Sequence, residues 1–413
     1  MCSQTILKFG GNMQSYFKLI VTSAFLFFIS IAVAKEPCLQ RVIAFDIGSG
    51  ATRMSIGRVN TCKTESYQLK VGEKALKVYQ NIEKVDMNGL FASNGFKESY
   101  KVDYGEAVKK DRNKDQVEDG IIDQETLLQG RQAIKVLLAW ANLEKTVFEQ
   151  QSQNHKQEKY RDKVVAVATS AFRTFQKTDA KAAQRAIKEI KRLGVDEIQI
   201  ITQEQEAAYG FVAAVTALNI SNPKNILVWD IGGRSTQLVA ADSQGKVKIV
   251  GQGNMASIDF REAILKKVKP EGWEHHFEDG TSQADNPNPI TEDEIEASTK
   301  LSYEYALNLE NQNIKTIEWL DNNPIETVIG IGSVLKYGGY KRLNSLGITE
   351  TSYFTIADMQ NGVQAMTKYN PKEDYAEGNV SNMYLILGHM MALGFDEIQC
   401  TGSTMSDALL QIH

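Results

Sequence analysis

Two short segments, Asp46-Ile47-Gly48-Ser49-Gly50 and Asp230-Ile231-Gly232-Gly233-Arg234, repeat one chemical arrangement in the two halves of the 413-residue chain. Each follows an apolar, strand-like run, Val42-Ile43-Ala44-Phe45 and Ile226-Leu227-Val228-Trp229. Each leads through a hydroxyl-bearing turn into a second strand-like run. A carboxylate at a strand end followed by glycines suits a phosphate and its metal. Glycine tolerates positive φ and lets backbone N–H groups approach an anion. Aspartate can hold a hydrated divalent cation against phosphate oxygens. Two such loops predict two related half-structures that grip one phosphorylated ligand between them.

With 42% hydrophobic and 23% charged residues, the chain suits a globular protein of two domains. A net charge of −5 argues against binding a nucleic-acid duplex, so an anionic ligand must be drawn locally by placed Arg, Lys, metal and backbone N–H groups. The N-terminus reads as an export signal. Lys18 precedes the apolar run from Leu19 to Ala34, which ends in the small-x-small pattern Ala32-Val33-Ala34. That run is short for a membrane span, for which roughly 20 residues are usual. Residues 1–34 are therefore expected to be cleaved, with a retained anchor as the alternative, leaving a periplasmic or secreted protein with no stable membrane span.

Export makes disulfides possible. Cys38 and Cys62 flank a first hairpin whose turn is centred near residue 50, so they face each other across the strands. A cross-strand bridge is expected there, with Cys400 left as a buried thiol. No Cys or His spacing resembles a zinc site.

Residues 41–60 read as that hairpin, and 63–120 as further strands with a surface insertion. Helical periodicity runs from Asp123 to about Gln150, 151–162 is a polar, solvated stretch, and Val164–Ala168 is a buried strand. A helix over 179–193, a strand at 198–201 and a helix over 203–218 follow. After Asn222-Pro223 the second glycine loop begins. The expected organisation is thus a first domain, 35–220, and a second, 221–413, with helical insertions. Residues 268–290 read as a long loop, and helices are expected near 291–320, 356–368 and 380–392. Alternation of strands and helices in both halves argues α/β.

Several residues carry candidate chemistry. Thr202-Gln203-Glu204-Gln205 is a capping box, which fixes Glu206 in the first turns of its helix. An acid there, close to a phosphate loop, can orient or deprotonate water. Gln205 needs no role beyond the cap, and Glu204 suits the positive helix end. Arg173, in Thr169-Ser170-Ala171-Phe172-Arg173, offers a planar fork matched to phosphate oxygens, or is simply a surface arginine. Gly330-Ile331-Gly332-Ser333 is a third glycine loop between a strand and a helix, and helix N-termini bind anions. There is no Gly-x₄-Gly-Lys-Ser/Thr loop and no Gly-x-Ser-x-Gly elbow. The expected chemistry is water attack on a phosphoryl group, driven by positioning and charge stabilisation.

The ordered series Asp46-x-Gly-Ser, Ala168–Arg173, Ile201-x₄-Glu206-Ala207, Asp230-Ile231-Gly232-Gly233-x-Ser235-Thr236 and Gly330-x-Gly332-Ser333 resembles the Ppx/GppA phosphatase family, the exopolyphosphatases and guanosine pentaphosphate phosphatases. The resemblance covers roughly residues 40–410 and implies an actin-like ATPase superfamily fold: two duplicated ribonuclease-H-like domains with an interdomain cleft. It implies Glu206 as catalytic base, Arg173 on phosphate, and Asp46 and Asp230 around Mg²⁺. Gly48, Ser49, Gly50, Gly232, Gly233, Ser235, Thr236, Gly332 and Ser333 fall at phosphate-loop positions. Gln237 stands where the family usually has a metal-side acid, Gln205 where a Glu is common, and Arg234 where Gly is usual.

Some departures resemble the apyrases of the same superfamily. The first loop runs on to Thr52-Arg53, the second reads Gly-Gly-x-Ser-Thr-Gln, and the base segment is Glu206-Ala207-Ala208-Tyr209-Gly210. The implied function is release of terminal phosphate from polyphosphate or a polyphosphorylated nucleotide such as a guanosine polyphosphate. The alternatives are apyrase-like hydrolysis of nucleoside tri- and diphosphates, and a catalytically impaired sensor of such ligands. A second copy of the chain is a candidate partner. ATP-driven actin-like, chaperone-like or sugar-kinase roles are disfavoured, because ATP is scarce outside the cytoplasm.

Overall fold

The computed structural model describes residues 38–412, apart from 63, 65, 72–73, 80–81, 111–118, 152–160, 221–222, 243–245, 278–279, 312–313, 367–377 and 379. The expected signal segment, most of the polar stretch 151–162 and part of 63–120 lie outside the described residues.

The hairpin at the start of the first sheet forms as its sequence dictates. Strands β1 (Leu39–Ile47) and β2 (Ala51–Asn60) pair antiparallel from Leu39↔Asn60 to Ile47↔Thr52. The turn is closed by the Gly48 N–H donating to Ala51 O at 2.9 Å. Cys38 and Cys62, just beyond the paired ends, are both disulfide-bonded, and Cys400 is free and buried. β1 also pairs parallel with β7 (Arg161–Ala168), and β7 with β8 (Glu197–Ile200). The short strands β5 (Glu83–Lys84) and β6 (Ser99–Lys101) extend the outer edge at β2.

The second half repeats this pattern. Strands β9 (Ile226–Ile231), β10 (Thr236–Ala241) and β11 (Lys246–Gly253) form an antiparallel meander. β9 then pairs parallel with β16 (Thr327–Ile331), and β16 with β18 (Glu397–Cys400). In each sheet, antiparallel strands precede parallel strands reached through helical crossovers, which is the duplicated α/β arrangement the two loops implied. Further strands lengthen this sheet: β14 (Glu310–Asn311) with β15 (Ile314–Lys315) at one side, and β17 (Tyr353–Thr355) at the other. The hairpin of β3 (Ser66–Val71) and β4 (Lys74–Tyr79) lies in the first half of the sequence, yet β3 pairs with β11 of the second sheet.

The helices that position the site are α1 (Tyr104–Lys109), α2 (Gln124–Gln151), α3 (Ser170–Thr178), α4 (Ala180–Lys191) and α5 (Gln203–Ala217) in the first half. In the second they are α6 (Ser257–Lys267), α7 (Glu292–Leu307), α8 (Thr316–Asn322), α9 (Ile356–Ala365), α10 (Ser381–Leu393) and α11 (Met405–Ile412). Residues 268–290 are not wholly irregular, since His275–His276 (β12) and Ser282–Gln283 (β13) pair as a small hairpin. The helical stretch expected over 291–320 is broken between α7 and α8 by β14 and β15. Among the described residues no helix is long and apolar enough to cross a membrane.

Strand alternation sorts the core into layers. Ile43, Phe45 and Ile47 face an outer cluster with Leu137, Phe172 and Phe175. Leu227, Trp229 and Ile231 face another with Phe260, Phe354 and Ile386. Val42, Ala44, Ile226 and Val228 instead point into a shared middle layer, filled by Phe211, Val212 and Val215 of α5 and by Leu409 and Leu410 of α11. Helix α5 is buried almost all round, which explains its Ala-rich, weakly amphipathic sequence.

Candidate active site

Because side chains alternate along a strand, Asp46 shares the face of Val42 and Ala44, and Asp230 that of Ile226 and Val228. Both carboxylates therefore point from strand ends into the middle layer that holds α5. Glu206 stands in the first turn of α5, set by the predicted box. Thr202 Oγ1 accepts from Gln205 N, and Thr202 N donates to Gln205 Oε1. Gly210 lies one turn along the same helix, and a Cβ there would come within 3.5 Å of Asp230 Oδ2. The glycine thus lets α5 lie against the second carboxylate.

Electrostatics ties the three acids together. Burial pushes Asp46 up to about 6, Arg53 opposes this, and the negative charges of Glu206 and Asp407 add to it. Asp230 is pushed up to about 7 by burial and then by Glu206 and Asp46. Glu206 is raised above the ordinary carboxylate range by burial, against the pull of Arg173. Like charges disfavour joint ionisation, so this cluster is short of positive charge. The cations at hand are Arg173, whose Nη1 lies 2.7 Å from Glu206 Oε2, and Arg53, whose Nη1 lies 3.6 Å from Asp46 Oδ2. Arg173 is braced by donating to Ile201 O at 3.1 Å.

The loops are pinned by backbone bonds. In the first, Ser49 O accepts from Gly105 N, Gly50 O from Val102 N, and the Ser49 and Ser170 hydroxyls bond at 2.6 Å. In the second, Gly232 N donates to Ser235 O, while Gly232 O and Gly233 O accept from Ser257 N and Ile258 N of α6. In the third, Gly332 has φ +91°, and a Cβ there would meet Ile231 O at 2.4 Å and Asp230 Oδ1 at 2.8 Å. That loop therefore packs directly on the Asp230 strand end, with Ser333 following it at the start of the next helical turn.

Thr236 is not brought to the site. It is fully buried, and its hydroxyl accepts from Trp229 Nε1 at 3.0 Å on the opposite face of the sheet. Gln237, one residue on, is the register partner of Asp230 and shares its face. It is 2% exposed, and its Oε1 has no hydrogen-bond partner among the described residues. Two residues belong to the site that sequence reasoning did not assign there. Arg53 is the partner of Asp46 in the hairpin register, which the spacing about the turn could have shown. Arg234 was visible only as a departure from the resembling motif.

The structure thus brings together paired strand-end carboxylates, a helix-borne acid and glycine loops, an arrangement chemically suited to a phosphoryl group. Residues 106–277 match the Ppx/GppA phosphatase family. The fold is similar to that of the Aquifex aeolicus Ppx/GppA family member, at 18% identity and a TM-score of 0.55, covering 90% of this chain and 96% of that one. The Aquifex aeolicus PPX-GPPA enzyme gives 17% and 0.54, covering 90% and 99%. An exopolyphosphatase from Cytophaga hutchinsonii gives 13% and 0.52, covering 90% and 96%. No curated protein sequence matches the chain. The matched segment and the shared fold make the chain similar to the Ppx/GppA phosphatase family.

Proposed function

We propose that the chain is an exported phosphoanhydride hydrolase that releases terminal phosphate from polyphosphate or a guanosine polyphosphate. The observation that carries this reading is the convergence of Asp46, Asp230 and Glu206 in one buried layer, with Arg173 on Glu206 at 2.7 Å. Water oxygen attacks the terminal phosphorus while the bridging P–O bond breaks, and the shortened chain leaves with that oxygen. Glu206 takes the proton of the attacking water, and its raised pKa suits a base. Arg173 supports the charge spread over the phosphoryl oxygens. Export is supported by the N-terminal apolar run and by the disulfide-bonded state of Cys38 and Cys62, which an oxidising compartment maintains.

Among the described residues, no group of three or more His, Cys, Asp and Glu side chains is arranged to hold a metal directly. The residues do fit a hydrated divalent cation, expected to be Mg²⁺. Burial, and then neighbouring negative charge, raises both Asp46 and Asp230, and the buried Gln237 Oε1 lacks a donor among the described residues. Asp46, Asp230 and Gln237 would hold the hydrated ion, whose contribution is charge neutralisation on the phosphate oxygens.

Gln237 also favours a second reading, apyrase-like hydrolysis of nucleoside tri- and diphosphates, because a neutral amide stands where the polyphosphate-cleaving pattern has an acid. Phosphate release from polyphosphate, guanosine pentaphosphate, ATP and ADP, by wild type and Glu206→Gln, separates the readings. Preference for polyphosphate or the pentaphosphate supports the first, and comparable turnover of ATP and ADP the second. No metal-dependent release from any substrate refutes both.

A further inference from the structure

We infer that Arg234 is a substrate-binding residue that crosses from the second glycine loop to the first and grips a non-reacting phosphoryl group. This deepens the hydrolase reading and rests on it for the identity of the ligand. The residue occupies the middle of Gly232-Gly233-Arg234-Ser235, a loop held to α6 by the Ser257 and Ile258 N–H groups. Its stem lies against Gly105, beside the first loop. A Cβ built on Gly105 would sit 3.4 Å from Arg234 Cδ and 3.2 Å from Ser49 Cβ, so the arginine stem and the first loop share one small space. Gly105 itself donates to Ser49 O, which fixes the wall of that space.

The guanidinium is buried at two of its nitrogens, Nε and Nη2, and neither has a hydrogen-bond partner among the described residues. A buried cationic donor without an acceptor is unfavourable, by more than a neutral donor would be. Among the described residues no acid accepts from either nitrogen. Asp46 pairs with Arg53, Glu206 with Arg173, and Asp259 with Lys109. The missing partner is a planar or tetrahedral oxyanion entering between the loops, and a guanidinium fork matches phosphate oxygens. Arg173 already serves the acid that activates water, so Arg234 takes a phosphoryl group further along the chain. It therefore selects for ligands with several linked phosphates over a lone phosphate monoester. The same bond neutralises part of the charge such a ligand brings beside three carboxylates.

The test uses the full chain as wild type, Arg234→Gln and Arg234→Lys, with thermal melting to confirm folding. Two readouts are taken with Mg²⁺ present: phosphate release from tripolyphosphate, and calorimetric binding of imidodiphosphate, whose bridging N–H resists hydrolysis. The expected result for Arg234→Gln is a KM for tripolyphosphate raised on the order of tenfold to a hundredfold with kcat within a few-fold, and a matching loss of imidodiphosphate affinity. Arg234→Lys should recover part of both, because the charge returns without the fork. Unchanged KM and affinity in Arg234→Gln overturn the inference, as does a gain of activity, which would make the side chain an obstruction. A wild type that binds imidodiphosphate but releases no phosphate refutes the hydrolase reading and leaves Arg234 to be judged on affinity alone. A wild type that binds nothing overturns both.

Discussion

Gly332→Ala is a sharp local test of how the third loop meets the Asp230 strand end. At φ +91° an L-residue is strained, at a cost of about 1–2 kcal/mol. The added methyl would also lie 2.4 Å from Ile231 O and 2.8 Å from Asp230 Oδ1, so β9 and the loop after β16 must part. Overpacking of this kind costs about 1–3 kcal/mol, which brings the expected loss to about 2–5 kcal/mol. Urea unfolding should show the midpoint falling with the slope unchanged. Gly402→Ala serves as the control, because a Cβ there meets nothing within 4 Å and φ is not positive. It should stay within about 0.5 kcal/mol of wild type. The displaced methyl also presses on Asp230, so phosphate release should fall in Gly332→Ala even at temperatures where the protein remains folded. A Gly332→Ala protein as stable as the control would refute the packing of this loop on the Asp230 strand.

Two pH trends of opposite sign are expected. His389 is buried, stacks on Trp229 with ring centroids 5.3 Å apart, and is pushed down to about 4 by burial. Its unfolded form takes up a proton below about 6.5, so stability falls by about 3 kcal/mol as pH drops from about 6.5 to about 4. His389→Phe should flatten that limb in denaturation curves taken across this range. Asp46 and Asp230 are raised, so the fold holds their protons more tightly than the unfolded chain does. Metal-free stability should therefore fall as pH rises from about 4 to about 7, by on the order of 3 kcal/mol from Asp46 alone. Mg²⁺ should restore the melting temperature above pH 7 and change it little near pH 4. An equal Mg²⁺ effect at both ends would remove these carboxylates from the cation site.

The loops were legible because their signal is local. Val42–Phe45 and Ile226–Trp229 are apolar on both faces, as buried central strands must be, and each ends in Asp and Gly. The start of α5 was equally readable, since a capping box spans only Thr202 to Gln205. Other features depend on distant partners. Nothing in Ser66–Tyr79 says that its hairpin will pair with β11 rather than with its neighbours in sequence. Helix α6 follows Ala256, which makes no side-chain cap, so its start carries no signal. Thr236 and Gln237 stand side by side in one motif, and only the pleat shows that Gln237 shares the face of Asp230 while Thr236 faces Trp229.

A crystal structure of Glu206→Gln grown with tripolyphosphate and Mg²⁺ tests the central claim most directly. The expected density is a phosphate chain lying between residues 46–50 and 230–235, with a terminal phosphoryl group beside position 206 and Arg173. Tripolyphosphate bound elsewhere, with that cleft filled only by solvent, would contradict the account.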